Sequence, residues 1–193
     1  MGEIRNKRVL DVGCNAGIIS SCIDASNEIT AIDANKDAVE LAKKLCPNVK
    51  YIVSDFFKEK LPTGRFDAVV LAHALPKDNY ASEHEPTELL KLIWGWLVPG
   101  GTLYLTTPNA DYPYYRKKGK TINHSKLLSL LKEQPWEFDT YPWNPISIYL
   151  SKAPFPEVNF YLLKLLMAKK AGPGRCVSFF AIARKPAKKS HGH

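Results

Sequence analysis

Val9 to Gly17 reads VLDVGCNAG: an apolar run carrying Asp11 near its end, a turn with glycines at 13 and 17, then apolar residues at helical spacing. The run predicts a strand, and the glycines let a ligand approach the backbone at the start of the helix that follows. A dinucleotide site needs GxGxxG, but Asn15 and Ile18 stand where the second and third glycines belong. A phosphate loop needs GK[ST], and none follows. A nucleoside ligand without phosphates fits better. Asp33, 22 residues after Asp11, ends the next predicted strand, where a carboxylate can accept both ribose hydroxyls. Asp55, in SDFF, ends the third and is placed to accept from an adenine amino group, with Phe56 offering an apolar face.

Outward from this turn, short apolar runs alternate with amphipathic stretches. Strands are predicted at 8–12, 28–33, 49–54, 66–72 and 102–107, and helices at 17–25, 36–45 and 87–97. In the second helix Ala38, Leu41, Ala42 and Leu45 form one face, Asp33 or Asn35 can cap it, and Pro47 stops it. Strands joined by helices rather than tight turns give an α/β open, doubly wound sheet. The second half is less regular, with a helix predicted at 125–132 capped by Ser125, a strand at 136–141, an apolar helix at 158–170 and a strand at 176–184.

At 193 residues and 45% hydrophobic, the chain is long and apolar enough for one globular core and is not a disordered protein. No apolar run approaches the roughly 20 residues of a membrane-spanning helix, and MGEIRNKR does not read as a secretory signal. Cys14, Cys22, Cys46 and Cys176 form neither a CxxC pair nor a zinc-type cluster, so no metal is expected and the setting reads as reducing and cytoplasmic. The net charge of +8 is uneven: residues 1–110 hold 12 basic and 14 acidic residues, residues 111–193 hold 15 and 5. Part of the excess is the end of the chain from Arg184, which reads as a frayed basic tail. Part is Arg116 to Lys120, beside Tyr112, Tyr114 and Tyr115.

The ordered set resembles the class I S-adenosylmethionine-dependent methyltransferases. VLDVGCNAG is similar to that family's first motif, AIDAN (31–35) to its ribose-binding loop and SDFF to its adenine-binding loop. FDAVVLAHAL (66–75) is similar to the fourth strand and its substrate-facing end, and LVPGGTLYLTTPN (97–109) to the turn and fifth strand. The TTPN ending, the NHS at 123–125 and FFAIARKP near the end resemble the small-molecule, ubiquinone-biosynthesis-type O-methyltransferases. The resemblance implies a mostly parallel seven-stranded Rossmann-like sheet with the last strand antiparallel. It implies a single domain over 1–184, with 1–107 binding the cofactor, 108–184 forming an acceptor lid and closing strands, and 185–193 a flexible tail.

The same resemblance assigns roles. Gly13, Cys14, Asn15 and Gly17 would line the methionine moiety, Asp11 would orient the loop and the ammonium group, and Asp33 with Ala34 would hold the ribose. Asp55 and Phe56 would hold the adenine, and Ala72 would lie near the sulfonium. If the acceptor must lose a proton, His73 and His124 are the candidate bases. The sequence departs from the family where Pro76 and Lys77 replace a Glu-His pair after the fourth strand, and where the helices that normally precede the first strand are short or absent. A second copy or partner chain covering that side is the corresponding expectation. The primary reading is methyl transfer to an oxygen or nitrogen of a small molecule. The alternatives are methylation of RNA through the basic second half, where the tyrosines could stack bases, and a non-catalytic cofactor- or partner-binding protein. The basic residues could also meet an anionic surface, with the apolar helix at 160–167 lying on it; burial of that helix against the sheet is the simpler expectation.

Overall fold

The computed structural model describes residues 4–75, 86–116, 121–143, 176 and 178–187. Its elements are β1 (Arg8–Val12), α1 (Ile18–Ser21), β2 (Glu28–Asp33), α2 (Lys36–Leu45), β3 (Lys50–Val53) and β4 (Phe66–Ala72). These are followed by α3 (Pro86–Trp96), β5 (Leu97–Pro108), α4 (Pro113–Arg116), α5 (His124–Lys132), β6 (Glu137–Trp143) and β7 (Ser178–Arg184). The seven strands form one sheet in the order β3-β2-β1-β4-β5-β7-β6. β1 pairs in parallel with β2 and β4, β3 with β2, and β5 with β4. β7 runs antiparallel to both β5 and β6, so the last strand is the reversed one, as the resemblance implies. The chain builds β1 to β3 in one direction and then returns to place β4 on the other side of β1. The C-terminal ends of β1 and β4 therefore flank the switch point at which open α/β sheets bind ligands.

Period-2 alternation sends the strands' side chains to two faces. Leu10, Val12, Val69, Leu71, Leu103 and Leu105 face a core completed by Leu89, Leu90 and Ile93 of α3 and Leu127, Leu130 and Leu131 of α5. Val9, Ile29, Ala68 and Val70 face a smaller core with Ile4 and Ile23. The helix predicted at 158–170 lies outside the described residues.

Several boundaries differ from expectation. The first helix is only four residues long, because Cys22 already serves as its C-cap. Of the two residues offered as cap of α2, Asn35 takes the position as expected, its side chain accepting from the Ala38 amide at 3.1 Å. α2 buries Ala38, Val39 and Ala42 while Leu41 and Leu45 are exposed. The small Ala42 faces the glycine turn so closely that a Cβ on Gly17 would lie 2.8 Å from the Ala42 Cβ, and this contact sets the helix rotation in place of the leucines. Asn123 rather than Ser125 caps α5, accepting from the Lys126 amide at 2.9 Å, and Ser125 Oγ donates to the same oxygen at 2.8 Å. β5 starts at Leu97, ahead of Pro99-Gly100-Gly101, and its register shifts where it meets Phe66 and Ala68.

The end of the chain is anchored at its first basic residue after β7. The Lys185 amide donates to the Gly101 carbonyl at 2.8 Å, and its ammonium donates to the carbonyls of Trp94 at 2.7 Å and Leu97 at 2.8 Å. A cation on the last carbonyls of α3 answers the helix dipole. The expected flexible tail does not begin at Lys185; residues 188–193 lie outside the described residues.

Candidate functional site

The turn after β1 is held in shape by its backbone. Gly13 and Gly17 adopt left-handed angles (φ 71° and 77°), and a Cβ on Gly13 would lie 2.6 Å from the Ala74 Cβ. The Gly13 amide donates to the Ile32 carbonyl at 2.8 Å and the Cys14 amide to the same oxygen at 3.2 Å. The turn thus packs between the end of β2 and the residues after β4. Asn15 also has a positive φ, 46°, which asparagine tolerates better than most residues, and its side chain accepts from the Ala16 amide at 2.7 Å. This conformation is what a glycine would otherwise supply.

Asp33 joins this turn to the next. Its Oδ2 accepts from the Asn15 amide and its Oδ1 from the Asn35 amide, each at 2.8 Å, while its carbonyl accepts from the Ser54 amide at 3.0 Å. The ends of β1, β2 and β3 are therefore linked through one residue. Ala34 is exposed beside it. Asp55 Oδ1 accepts from the Phe57 amide at 3.0 Å, and Phe56, half-buried against the main core, lies 4.8 Å from the Phe57 ring.

Asp11 lies beneath the turn. It is buried, accepts from Ser20 Oγ at 2.6 Å, and its carboxyl is pushed up to about 6, chiefly by burial, with the Asp33 charge adding to the rise and the Ser20 hydroxyl opposing it. Cys14 is buried with Ala31 and Val39, and burial followed by the charges of Asp11 and Asp33 pushes its thiol up to about 12. It fills space as a neutral thiol. The field at the turn is negative, so it favours a ligand that brings positive charge and hydroxyl donors, and it disfavours a pyrophosphate.

At the end of β4, Ala72 and His73 are half-buried. His73 has φ 55°, donates its amide to the Thr106 carbonyl at 3.0 Å, and is held below the usual histidine range by burial. A non-glycine residue in the left-handed region at a strand end marks a place where the surrounding structure imposes the conformation.

Residues 9–101 match the family model described as a methyltransferase domain. The fold matches that of the N-methyltransferase NodS from Bradyrhizobium japonicum, crystallised with S-adenosyl-L-homocysteine, with a TM-score of 0.66 at 15% identity over 93% of this chain and 78% of that one. Residues 9–101 form a class I methyltransferase domain. Among curated sequences, the chain is 34% identical over 117 residues to a ubiquinone biosynthesis O-methyltransferase of Xanthomonas oryzae pv. oryzae, 55% of this chain and 45% of the relative. It is 29% identical over 136 residues to the malonyl-[acyl-carrier protein] O-methyltransferase of Halalkalibacterium halodurans, 66% and 48%. The chain thus spans about half the length of these relatives.

The two candidate histidines have different surroundings. His124, the first residue of α5, bonds through Nε2 to Thr140 Oγ1 at 3.0 Å and stacks on Phe179 at 4.9 Å, so its ring ties α5 to β6 and β7. Two buried polar residues, Ser20 and Asn109, have partners that the sequence does not indicate. Ser20 lies nine residues from Asp11, and its pairing with the carboxylate depends on how α1 folds back over β1. Asn109 is fully buried at the end of β5, donates to the Cys176 carbonyl at 2.8 Å and accepts from the Asp111 amide at 3.0 Å. It thereby fixes the exit of β5 against residue 176, just ahead of β7. The TTPN string contains it, but its partner is 67 residues away. Among the described residues no three His, Cys, Asp or Glu gather as a metal site, and no helix is long and apolar enough to cross a membrane.

Proposed function

We propose that this chain is a cytoplasmic S-adenosylmethionine-dependent methyltransferase acting on an oxygen or nitrogen of a small-molecule acceptor. The observation that carries the reading is the negative field of two carboxylates at the glycine turn, Asp33 bonded to the Asn15 amide at 2.8 Å and Asp11 buried beneath the turn. A ligand with a sulfonium, an ammonium group and ribose hydroxyls suits that field, whereas the two phosphates of NAD do not. Asp11 would orient the turn and the ammonium, with Gly13, Cys14, Asn15 and Gly17 along the methionine moiety. Asp33 and Ala34 would hold the ribose, Asp55 and Phe56 the adenine, and Ala72 would lie by the sulfonium.

S-adenosylmethionine, when bound, supplies a methyl group on an already activated sulfonium. The protein's own tasks are then to orient the acceptor for in-line attack and to exclude water. His73, kept neutral near pH 7 by its burial, is suited to take the acceptor's proton. His124 belongs to the packing of α5 in this reading, because its ring already bridges Thr140 and Phe179. Oxygen and nitrogen acceptors both stay within the proposal, since the curated relatives are named O-methyltransferases and NodS an N-methyltransferase.

The net charge of +10 over residues 111–193 favours RNA as the second reading for the acceptor. Binding to RNA that falls steeply with salt would support it. The primary test is calorimetric titration with S-adenosylmethionine, S-adenosylhomocysteine and NAD. Binding of the first two and not of NAD is expected; binding of NAD alone would overturn the assignment.

A further inference from the structure

Ser20 is buried on α1, and its Oγ donates to Asp11 Oδ2 at 2.6 Å across a separation of nine residues. That bond spans the whole glycine turn. A buried hydroxyl must be hydrogen-bonded or it costs stability, and an alanine would fill the same place in a four-residue helix without that need. The hydroxyl is therefore explained by what it does to the carboxylate. The other titratable groups near Asp11 are the Asp33 carboxylate from β2, the Cys14 thiol from the turn and the Tyr51 phenol from β3. None of these brings positive charge, and Asp33 works against ionisation of Asp11. Among the described groups acting on Asp11, Ser20 is the residue that favours its charged form.

We infer that Ser20 is a positioning residue: its hydroxyl fixes the Asp11 carboxylate and keeps it charged beneath the glycine turn, ready for the α-ammonium group of a nucleoside ligand that carries an amino acid. This rests on the cofactor reading above and adds to it the residue through which Asp11 works. Ser20 touches no ligand in this scheme. Its effect is confined to the amino-acid end, because the ribose and adenine contacts belong to Asp33 and Asp55.

The test is calorimetric titration of the full chain with S-adenosylhomocysteine and with 5′-methylthioadenosine, which keeps the nucleoside and thioether but lacks the ammonium and carboxylate. Titrations run from pH 5 to 8 on the wild type, Ser20→Ala and Ser20→Thr. Ser20→Ala should weaken S-adenosylhomocysteine binding about tenfold at pH 7 and leave methylthioadenosine within about twofold. It should also raise the pH below which S-adenosylhomocysteine affinity falls, and Ser20→Thr should restore the wild-type profile. If Ser20→Ala does not fold, Ser20→Cys, a weaker donor of similar size, carries the same expectation. Equal loss of both ligands, or an unmoved pH midpoint, would make Ser20 a structural clip and overturn the inference while leaving the cofactor site intact. A wild type that binds methylthioadenosine but not S-adenosylhomocysteine would also overturn it. A wild type that binds neither would instead refute the cofactor reading itself.

Discussion

The Asp33 carboxylate and the Asn15 amide are bonded at 2.8 Å across the gap between β2 and the glycine turn. The carboxylate thus shapes the turn as well as facing the proposed ribose position. Asp33→Ala removes both roles and should weaken S-adenosylhomocysteine binding more than tenfold, the loss of a charge-assisted contact of about 1.5 to 3 kcal/mol. Asp33→Asn keeps an acceptor for one of the two amides and should fall between. Calorimetry reads the affinities, and an unchanged dissociation constant in Asp33→Ala would remove Asp33 from the ligand site.

Asp11 is expected to trade stability for binding. Its folded carboxyl titrates near 6, above the ordinary value of 3.8. The folded state therefore holds that proton more tightly than the unfolded state, and stability is lost as pH rises through about 6. Asp11→Asn removes the buried charge and should be more stable than the wild type at pH 8, by up to about 3 kcal/mol for a shift of this size, with little difference at pH 4. The same variant should lose cofactor affinity. Thermal melting at the two pH values checks the sign.

His73 holds φ at 55°, which glycine adopts without strain. His73→Gly should leave the fold and cofactor affinity nearly unchanged while turnover on a competent acceptor falls by about a hundredfold, the lower range for a general base. Turnover equal to the wild type would reduce His73 to a backbone anchor on Thr106.

Lys185 lies at the opposite end of the parallel strands from the site, near the start of β5. Lys185→Met keeps most of the apolar stem but removes the donors to the Trp94 and Leu97 carbonyls and the cation 5.1 Å over the Trp94 ring. A loss of about 2 kcal/mol is expected, which for a chain of this size is a fall in melting temperature of about 6 °C. Ligand affinity should not change, and calorimetry on the same sample separates the two effects.

The parallel half was readable because its signals are local. VLDVG, AID and FDAVVLA are apolar runs with turn residues at fixed offsets, and their strand ends are where α/β sheets gather ligands. The same locality explains the errors. Leu41 and Leu45 have the spacing of a buried face, yet contact between Ala42 and the glycine turn rotates them outward. Ser125 has the chemistry of a cap, but the helix begins one residue earlier, at His124, so Asn123 takes the position and the Ser125 hydroxyl donates to its side chain.

From sequence alone the chain determined its class of fold, the positions of its first five strands along the chain, and Asp11, Asp33 and Asp55 as the acids near their ends. The tertiary structure decided which groups meet: Ser20 with Asp11, Asn109 with Cys176, Lys185 with the end of α3, and His124 with Thr140. The physical reason is that periodicity and turn chemistry act within a few residues, whereas a hydrogen bond between distant residues forms only once packing has brought its two ends together and removed the water that would otherwise satisfy them.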